Sequence, residues 1–329
     1  MSSKDPGGIE RVLTLELVRV TERAAIAAAM VRGRGDEAVA DRAAVEAMLS
    51  ELNRLPIRGR VVIGEGERDE APMLHVGQAV GTGGGPEVDI AVDPLDGATI
   101  CAKNLPNSLS VIALTHRGGL LNAPDVYMEK IAIGPGFPDG LLGFDMPPGE
   151  AIKRVAKEKG VRPRDISACI LDRPRHAKLI EAVRATGAAI RLIGDGDVAG
   201  IIHTTDPEAT GIDIYLGSGG APEGVLAAAA LRCIGGQMCG RLILDTDEKR
   251  ARAERLGISD PRKIYRAEDM ASGDVLFAAT GVTDGNLLDG VSFRGGTATT
   301  HTVVTRSHTG TQRWVKTNHR MGEKFGFMD

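Results

Sequence analysis

Three strand–loop–helix units in succession, beginning near Asp165, constrain the fold of this chain more than any other feature. Apolar runs at 168–171, 189–193 and 212–216 read as strands, and a polar loop and a helical pattern follow each. Repetition of that unit predicts a parallel sheet, because parallel neighbours need a crossover, usually a helix. Ligands in such sheets bind outside the carboxyl ends of the strands. Three loops fall there: Asp172-Arg-Pro-Arg-His176, Gly194-Asp-Gly-Asp197 and Gly217-Ser-Gly-Gly-Ala-Pro-Glu-Gly224. Arg173, Arg175 and His176 suit a phosphate, or else form an ordinary surface cluster. Asp195 and Asp197 suit sugar hydroxyls, or else cap the next helix. The Gly-rich loop would offer backbone N–H groups and a helix's positive end to a phosphate.

The other half turns on residues 88–99. Val88, Ile90 and Val92 alternate with Asp89, Ala91 and Asp93, a strand pattern that Pro94 is expected to stop because it has no N–H. The Pro-Leu-Asp-Gly turn then folds Asp96 back toward Asp93. Two carboxylates that close repel unless a cation or proton lies between them; the alternative is an Asx-rich turn with solvated acids. Upstream, a short strand at 61–63 opens into Gly64, Glu65, Gly66 and Glu67. Helices are predicted over about 9–31 and 38–52. Asp41 falls on the apolar face of the second, with Val45, Met48 and Leu52, where a lone carboxylate is costly unless paired or metal-bound. Further strand-like runs cover 109–114, 275–279, 297–305 and 312–317. A segment over 125–133 carries Tyr127, residues 134–149 read as a linker, and the polar tail from His319 is expected to fray.

Asp41, Glu65, Asp93, Asp96 and Glu223 are too acidic a set to share one neighbourhood without metal. Oxygen-only ligands point to Mn2+ or Mg2+ rather than zinc. Such ions neutralise the charge that develops in phosphoryl transfer. At 329 residues the chain can form one large or two ordinary domains. The expected division is 1–160, with most of the acids, and 161–329, with the sugar-phosphate loops. A net charge of −4 and 3% aromatic residues argue against nucleic acid or an anionic membrane as partner. Cys101, Cys169, Cys233 and Cys239 are scattered, as reduced thiols are in a cytoplasmic protein. No apolar run is long enough to span a bilayer, and the first residues lack a signal-peptide pattern.

The motifs Gly-Arg-Gly-Asp (33–36), Val-Ile-Gly-Glu-Gly-Glu (62–67), Val-Asp-Pro-Leu-Asp-Gly (92–97), Asn-Ala-Pro-Asp-Val-Tyr-Met-Glu-Lys (122–130), Arg-Pro-Arg-His (173–176), Asp-Gly-Asp-Val-Ala (195–199), Gly-Gly-Ala-Pro-Glu-Gly (219–224) and Ala-Thr-Gly-Val-Thr-Asp-Gly (279–285) run through nearly the whole chain. In that order they resemble the class II fructose-1,6-bisphosphatases of the bacterial GlpX family, within the lithium-sensitive phosphatase superfamily. The resemblance implies an α/β fold, a layered α/β/α/β/α sandwich of the inositol monophosphatase type. It implies metal-dependent hydrolysis of the 1-phosphate of fructose 1,6-bisphosphate, in gluconeogenesis and glycerol metabolism. Some relatives also hydrolyse sedoheptulose 1,7-bisphosphate.

On the same resemblance, Asp41, Glu65, Asp93, Asp96 and Glu223 hold the metal. Asp69 sits close to the attacking water, and Glu65 and Asp96 share in catalysis. Asp96, Gly97, the residue at position 98, Tyr127, Arg173, Pro174, Arg175, Asp195, Gly196, Asp197 and Gly220 contact substrate. A homodimer or homotetramer is expected. Two positions depart from the family pattern. Ala98 stands where the family usually has threonine, implying an inactivated or weakly active form, engineered or natural. Glu37 stands where lysine is frequent. The competing readings are a phosphatase for another ester, a catalytically dead sugar-phosphate binder, and a purely structural protein.

Overall fold

The computed structural model describes residues 12–66 and 71–322. Helices α1 (Leu13–Val31) and α2 (Glu37–Leu52) come first. Strands β1 (Arg58–Ile63), β2 (Ala79–Val80) and β3 (Glu87–Asp96) follow, then the short helix α3 (Ala98–Ala102) and β4 (Leu109–His116). Next are β5 (Tyr127–Ile133), α4 (Pro148–Glu158), β6 (Ser167–Leu171), α5 (Ala177–Arg184), β7 (Ala189–Ile193), α6 (Asp197–Ile202) and α7 (Pro207–Thr210). After these come β8 (Ile214–Gly220), α8 (Ala221–Ile234), β9 (Gln237–Leu242), α9 (Asp247–Arg255), β10 (Ile264–Arg266) and α10 (Ala267–Met270). The last described elements are β11 (Val275–Gly281), β12 (Ser292–Arg294), β13 (Thr297–Arg306) and β14 (Thr311–Arg320). Strand β14 takes in His319, where the tail was expected to fray. Residues 9–11 of the expected first helix lie outside the described residues. Among the described residues, no helix is long and apolar enough to cross a membrane.

The chain forms two compact units. One holds the described residues up to Gly119 and those from Ser272 onward; the other is Leu120–Ala271. In the first unit the sheet order is β12-β13-β11-β4-β3-β1-β2, with β14 paired along the free side of β13. Val88, Ile90 and Val92 turn one face of β3 into a core shared with Leu13, Leu17 and Val20 of α1 and Val45, Met48 and Leu52 of α2. The period-2 alternation of the strand therefore meets the four-residue spacing of the helices, as the sequence predicts. Pro94 does not end β3. The ladder to β4 runs to Asp93↔Val111, slips at a bulge, and resumes at Asp96↔Leu109. A bulge accommodates a residue without an N–H while the strand continues.

The second unit's sheet runs β10-β9-β5-β8-β6-β7. Strands β6, β7 and β8 are parallel, as the repeated units predict, whereas β5, β9 and β10 add on antiparallel. Ile152 and Val155 of α4 and Ile180 and Val183 of α5 pack on one face, against Ile131, Ile170, Ile214 and Leu216. Helices α6 and α8 cover the other; a Cβ at Gly200 would lie 3.2 Å from both Cys169 Sγ and the Tyr215 ring. The first unit thus supplies one helical layer and one sheet. The second is helix, sheet and helix, an α/β architecture throughout.

The unit boundaries differ from the expected break at 160/161. They fall at 119/120 and 271/272, because β11 returns to pair with β4 from Val275↔Thr115 to Gly281↔Leu109. The Gly/Pro-rich stretch at 134–149 is no boundary: Phe137, Leu141, Leu142, Phe144 and Met146 pack on the second unit's core.

His203 lies buried in this unit, with no partner for its Nδ1 among the described residues. Burial first, then Arg191, hold its pKa down at about 4 against the ordinary 6.5. A depressed histidine stabilises the fold above its unfolded pKa and loses that contribution as pH falls toward the folded value. Wild type should therefore lose about 3 kcal/mol more than His203→Gln between pH 6.5 and 4, read from urea midpoints. Parallel losses in the two proteins would contradict this.

Candidate active site

In the first unit the candidate acids stand in the first turns of α2, just after β1 and at the end of β3. Asp36 caps α2 by accepting the Val39 N–H at 3.0 Å. Gly33 and Gly35 donate their N–H groups to the carbonyls of Cys101 and Ala102, which ties this turn to α3. One turn into α2, Asp41 and Glu65 line a single cavity of about 310 Å³ together with Arg42 and residues 71–73. Asp41 makes no hydrogen bond or ion pair among the described residues, and burial alone lifts its pKa. Asp93 Oδ1 accepts the Leu95 N–H at 3.1 Å, so the Asx-turn contact exists. Asp96 is buried, and Ser108 Oγ donates to its carbonyl. Gly97, at φ +83°, starts α3 from a left-handed conformation that favours glycine. Ala98 is the first residue of α3 and packs against the core cluster. Asp69 and Glu67 lie outside the described residues.

In the second unit the expected contacts stand at the carboxyl ends of β6, β7 and β8. Tyr127 begins β5, is exposed, and is paired with Gly220 across the ladder. The Arg175 guanidinium stacks 4.6 Å from the centre of the Tyr127 ring. Arg173 Nη1 donates to the Asp172 carbonyl, and Pro174 lies between the two arginines in a single 3-10 turn. Gly196, at φ +76°, turns the chain into α6, so Asp195 precedes the helix and Asp197 is its first residue. Asp197 Oδ2 accepts from Lys130 Nζ at 2.5 Å, a contact with both partners nearly sealed from water. Glu223 sits beside this pair. Its Oε2 is sealed and, among the described residues, has no hydrogen-bond partner. Burial first, then Asp197, raise its pKa, while Lys130 pulls it down. A Cβ at Gly219 would lie 1.8 Å from Asp197 Oδ2, and one at Gly220 would lie 1.9 Å from Glu223 Oε2. Only glycine lets both carboxylates lie against the strand.

The Gly-rich segment does not form the phosphate cradle expected of it. Gly217 to Gly220 belong to β8 and are paired with β5. The Ala221 N–H donates to the Val126 carbonyl, and Pro222 has none. Sequence reasoning missed Lys130 and Ser218 as site residues. A lysine on the apolar face of a strand, between Met128 and Ala132, was the available signal for the first. For Ser218 the sequence offers none.

Asp41, Glu65, Asp93 and Asp96 belong to the first unit, and Glu223 to the second. Among the described residues, no group of three or more Asp, Glu, His or Cys side chains is placed to hold a metal ion. The acids nevertheless suit a divalent cation. The donors are all oxygens, and among the described residues Asp41 makes no hydrogen bond or ion pair and the Glu223 Oε2 receives no hydrogen bond.

The family model for bacterial fructose-1,6-bisphosphatase, glpX-encoded, matches residues 11–319. The chain belongs to that family. It is 44% identical to a D-fructose 1,6-bisphosphatase class 2/sedoheptulose 1,7-bisphosphatase of a Synechococcus species, over 94% of this chain and 96% of the relative. A protein of the same description from Synechococcus elongatus is 42% identical over 94% and 97%. The family makes this chain a phosphatase, a phosphoric monoester hydrolase of carbohydrate metabolism. A solved structure of extragenic suppressor protein suhB from Bartonella henselae matches at 18% identity, over 60% of this chain and 74% of that one. Its TM-score of 0.34 is too low to carry an argument.

Removing one partner of a sealed ion pair strands the other charge. Lys130→Met should therefore lower stability by about 3–5 kcal/mol, read from the urea midpoint. A loss under about 1 kcal/mol would show that Asp197 finds another partner.

Proposed function

We propose that this chain hydrolyses the 1-phosphate of fructose 1,6-bisphosphate to fructose 6-phosphate and phosphate, with Mn2+ or Mg2+ as cofactor, in the cytoplasm as part of gluconeogenesis. The observation that carries the metal is the Glu223 Oε2 at the head of α8, sealed and without a donor among the described residues. In this reading Asp41, Glu65, Asp93, Asp96 and Glu223 hold the cation. When bound, it supplies charge neutralisation for the phosphoryl group.

The protein's own groups do the rest. Arg173 and Arg175 hold the phosphate that is kept. Asp195 and Asp197 accept hydrogen bonds from sugar hydroxyls, and Lys130 holds Asp197 in place. Tyr127, Pro174, Gly196 and Gly220 line the sugar. Asp96 and Gly97 lie against the phosphate that leaves, and Asp69 orients the water. Position 98 is where a hydroxyl would meet the charge that develops on the reacting phosphate. Ala98 has none, so the reading includes weak basal turnover. The names of the relatives favour a second substrate, sedoheptulose 1,7-bisphosphate, for the same site. A dimer or tetramer is the assembly expected of it.

Two outcomes test this. Ala98→Thr should raise metal-dependent phosphate release from fructose 1,6-bisphosphate by about a hundredfold; no turnover in that variant, with either bisphosphate and either metal, would leave only a binding role. Mn2+ at a hundred times its Kd should add about 2.7 kcal/mol of stability to the wild type. The gain should shrink in Glu223→Gln and in Asp41→Asn, and equal gains in all three proteins would remove these acids from the metal site.

A further inference from the structure

Arg175 is an exposed side chain on a short turn, and such an arginine ordinarily samples many rotamers. Here one residue takes hold of it twice. Arg175 Nε donates to Ser218 Oγ at 3.1 Å, and Nη2 donates to the Ser218 carbonyl at 2.8 Å. Tyr127 supports the flat face.

Ser218 is itself fixed. It is buried in β8, and its N–H donates to His176 Nε2 at 2.9 Å, with its Oγ 3.0 Å from the same nitrogen. That N–H requires an unprotonated Nε2, so His176 carries its proton on Nδ1 and donates it to the Leu171 carbonyl at 2.7 Å. Burial, the largest influence on the ring, keeps it neutral. A chain of contacts thus runs from the end of β6 through His176 and Ser218 to Arg175. It uses the Nε and one Nη2 hydrogen, and leaves Nη1 and the other Nη2 hydrogen for a ligand. Those donors form the end of the guanidinium, which can grip two phosphate oxygens at once.

We infer that Ser218 is a positioning residue that presets Arg175 for the phosphate retained by the substrate. It acts on binding, through Arg175, and not on the reacting atoms. The inference rests on Arg175 being the phosphate contact of the proposed function.

A double-mutant cycle tests it. Fructose 6-phosphate binding is measured by calorimetry for wild type, Ser218→Ala, Arg175→Ala and the double variant, with KM and kcat for fructose 1,6-bisphosphate alongside. Ser218→Ala should weaken binding and raise KM about fivefold, with kcat within about twofold. Ser218→Thr, which keeps the hydroxyl, should restore most of the loss. The double variant should bind no more weakly than Arg175→Ala alone, because Ser218 has nothing left to position. Multiplying losses, or a fall in kcat at constant KM, would overturn the inference while leaving Arg175 as a phosphate contact. Arg175→Ala that binds fructose 6-phosphate as wild type does would overturn both.

Discussion

An ammonium group sealed from water is tolerable only against a carboxylate, and the second unit's candidate site is arranged around one such contact. Lys130 comes from β5, Asp197 from the head of α6, and both lie against Gly219 of β8. Gly224 of α8 comes within van der Waals reach of the Lys130 stem, where a Cβ would stand 3.2 Å from Cε. Four elements therefore meet at a single charge pair. Breaking it leaves a buried ion without compensation. Their mutual approach satisfies that pair.

Glu223 shows why a pocket of this kind suits a cation. One ammonium sits near two carboxylates, and Asp197 has first claim on it. The neighbour with a sealed, unmatched oxygen gains from any further positive charge. Asp41 in the first unit is in a similar condition by a different route: burial raises its pKa, and no ion pair among the described residues offsets it. Asp93 differs from both, since one of its oxygens closes an Asx turn with Leu95. A carboxylate has two oxygens, so the turn and a ligand role are compatible.

Much of this was legible in the sequence for identifiable reasons. The parallel core β6–β7–β8 announced itself because each strand is a short apolar run with a helix after it. The inward face of β3 followed from the alternation of Val88, Ile90 and Val92. Glu65 was conspicuous because it follows a strand directly, and Asp41 because it interrupts the apolar face of a helix. What stayed hidden depended on partners remote in the chain. Ser218 means nothing without His176 and Arg175 more than forty residues upstream. The Gly-rich segment looked like a loop because its glycines were read as turn formers. They are instead strand positions emptied for the carboxylates beside them. Strand β9 was missed because Gly240 and Arg241 interrupt a run of only six residues.

The second unit is inserted between two neighbouring strands of the first. Leu120 and Ala271 pair in an isolated bridge, and Ser272 donates its N–H to the Gly119 carbonyl, so the entry and exit of the insertion are side by side. On the ribosome, β4 emerges with an open edge and must wait through the whole of residues 120–271 before β11 arrives to cover it. The inserted unit can complete its own sheet during that wait, and by doing so brings the two ends of the gap together. Its early folding replaces a long, entropically costly closure with a short one. Biogenesis of the whole chain thus depends on the order in which its halves mature.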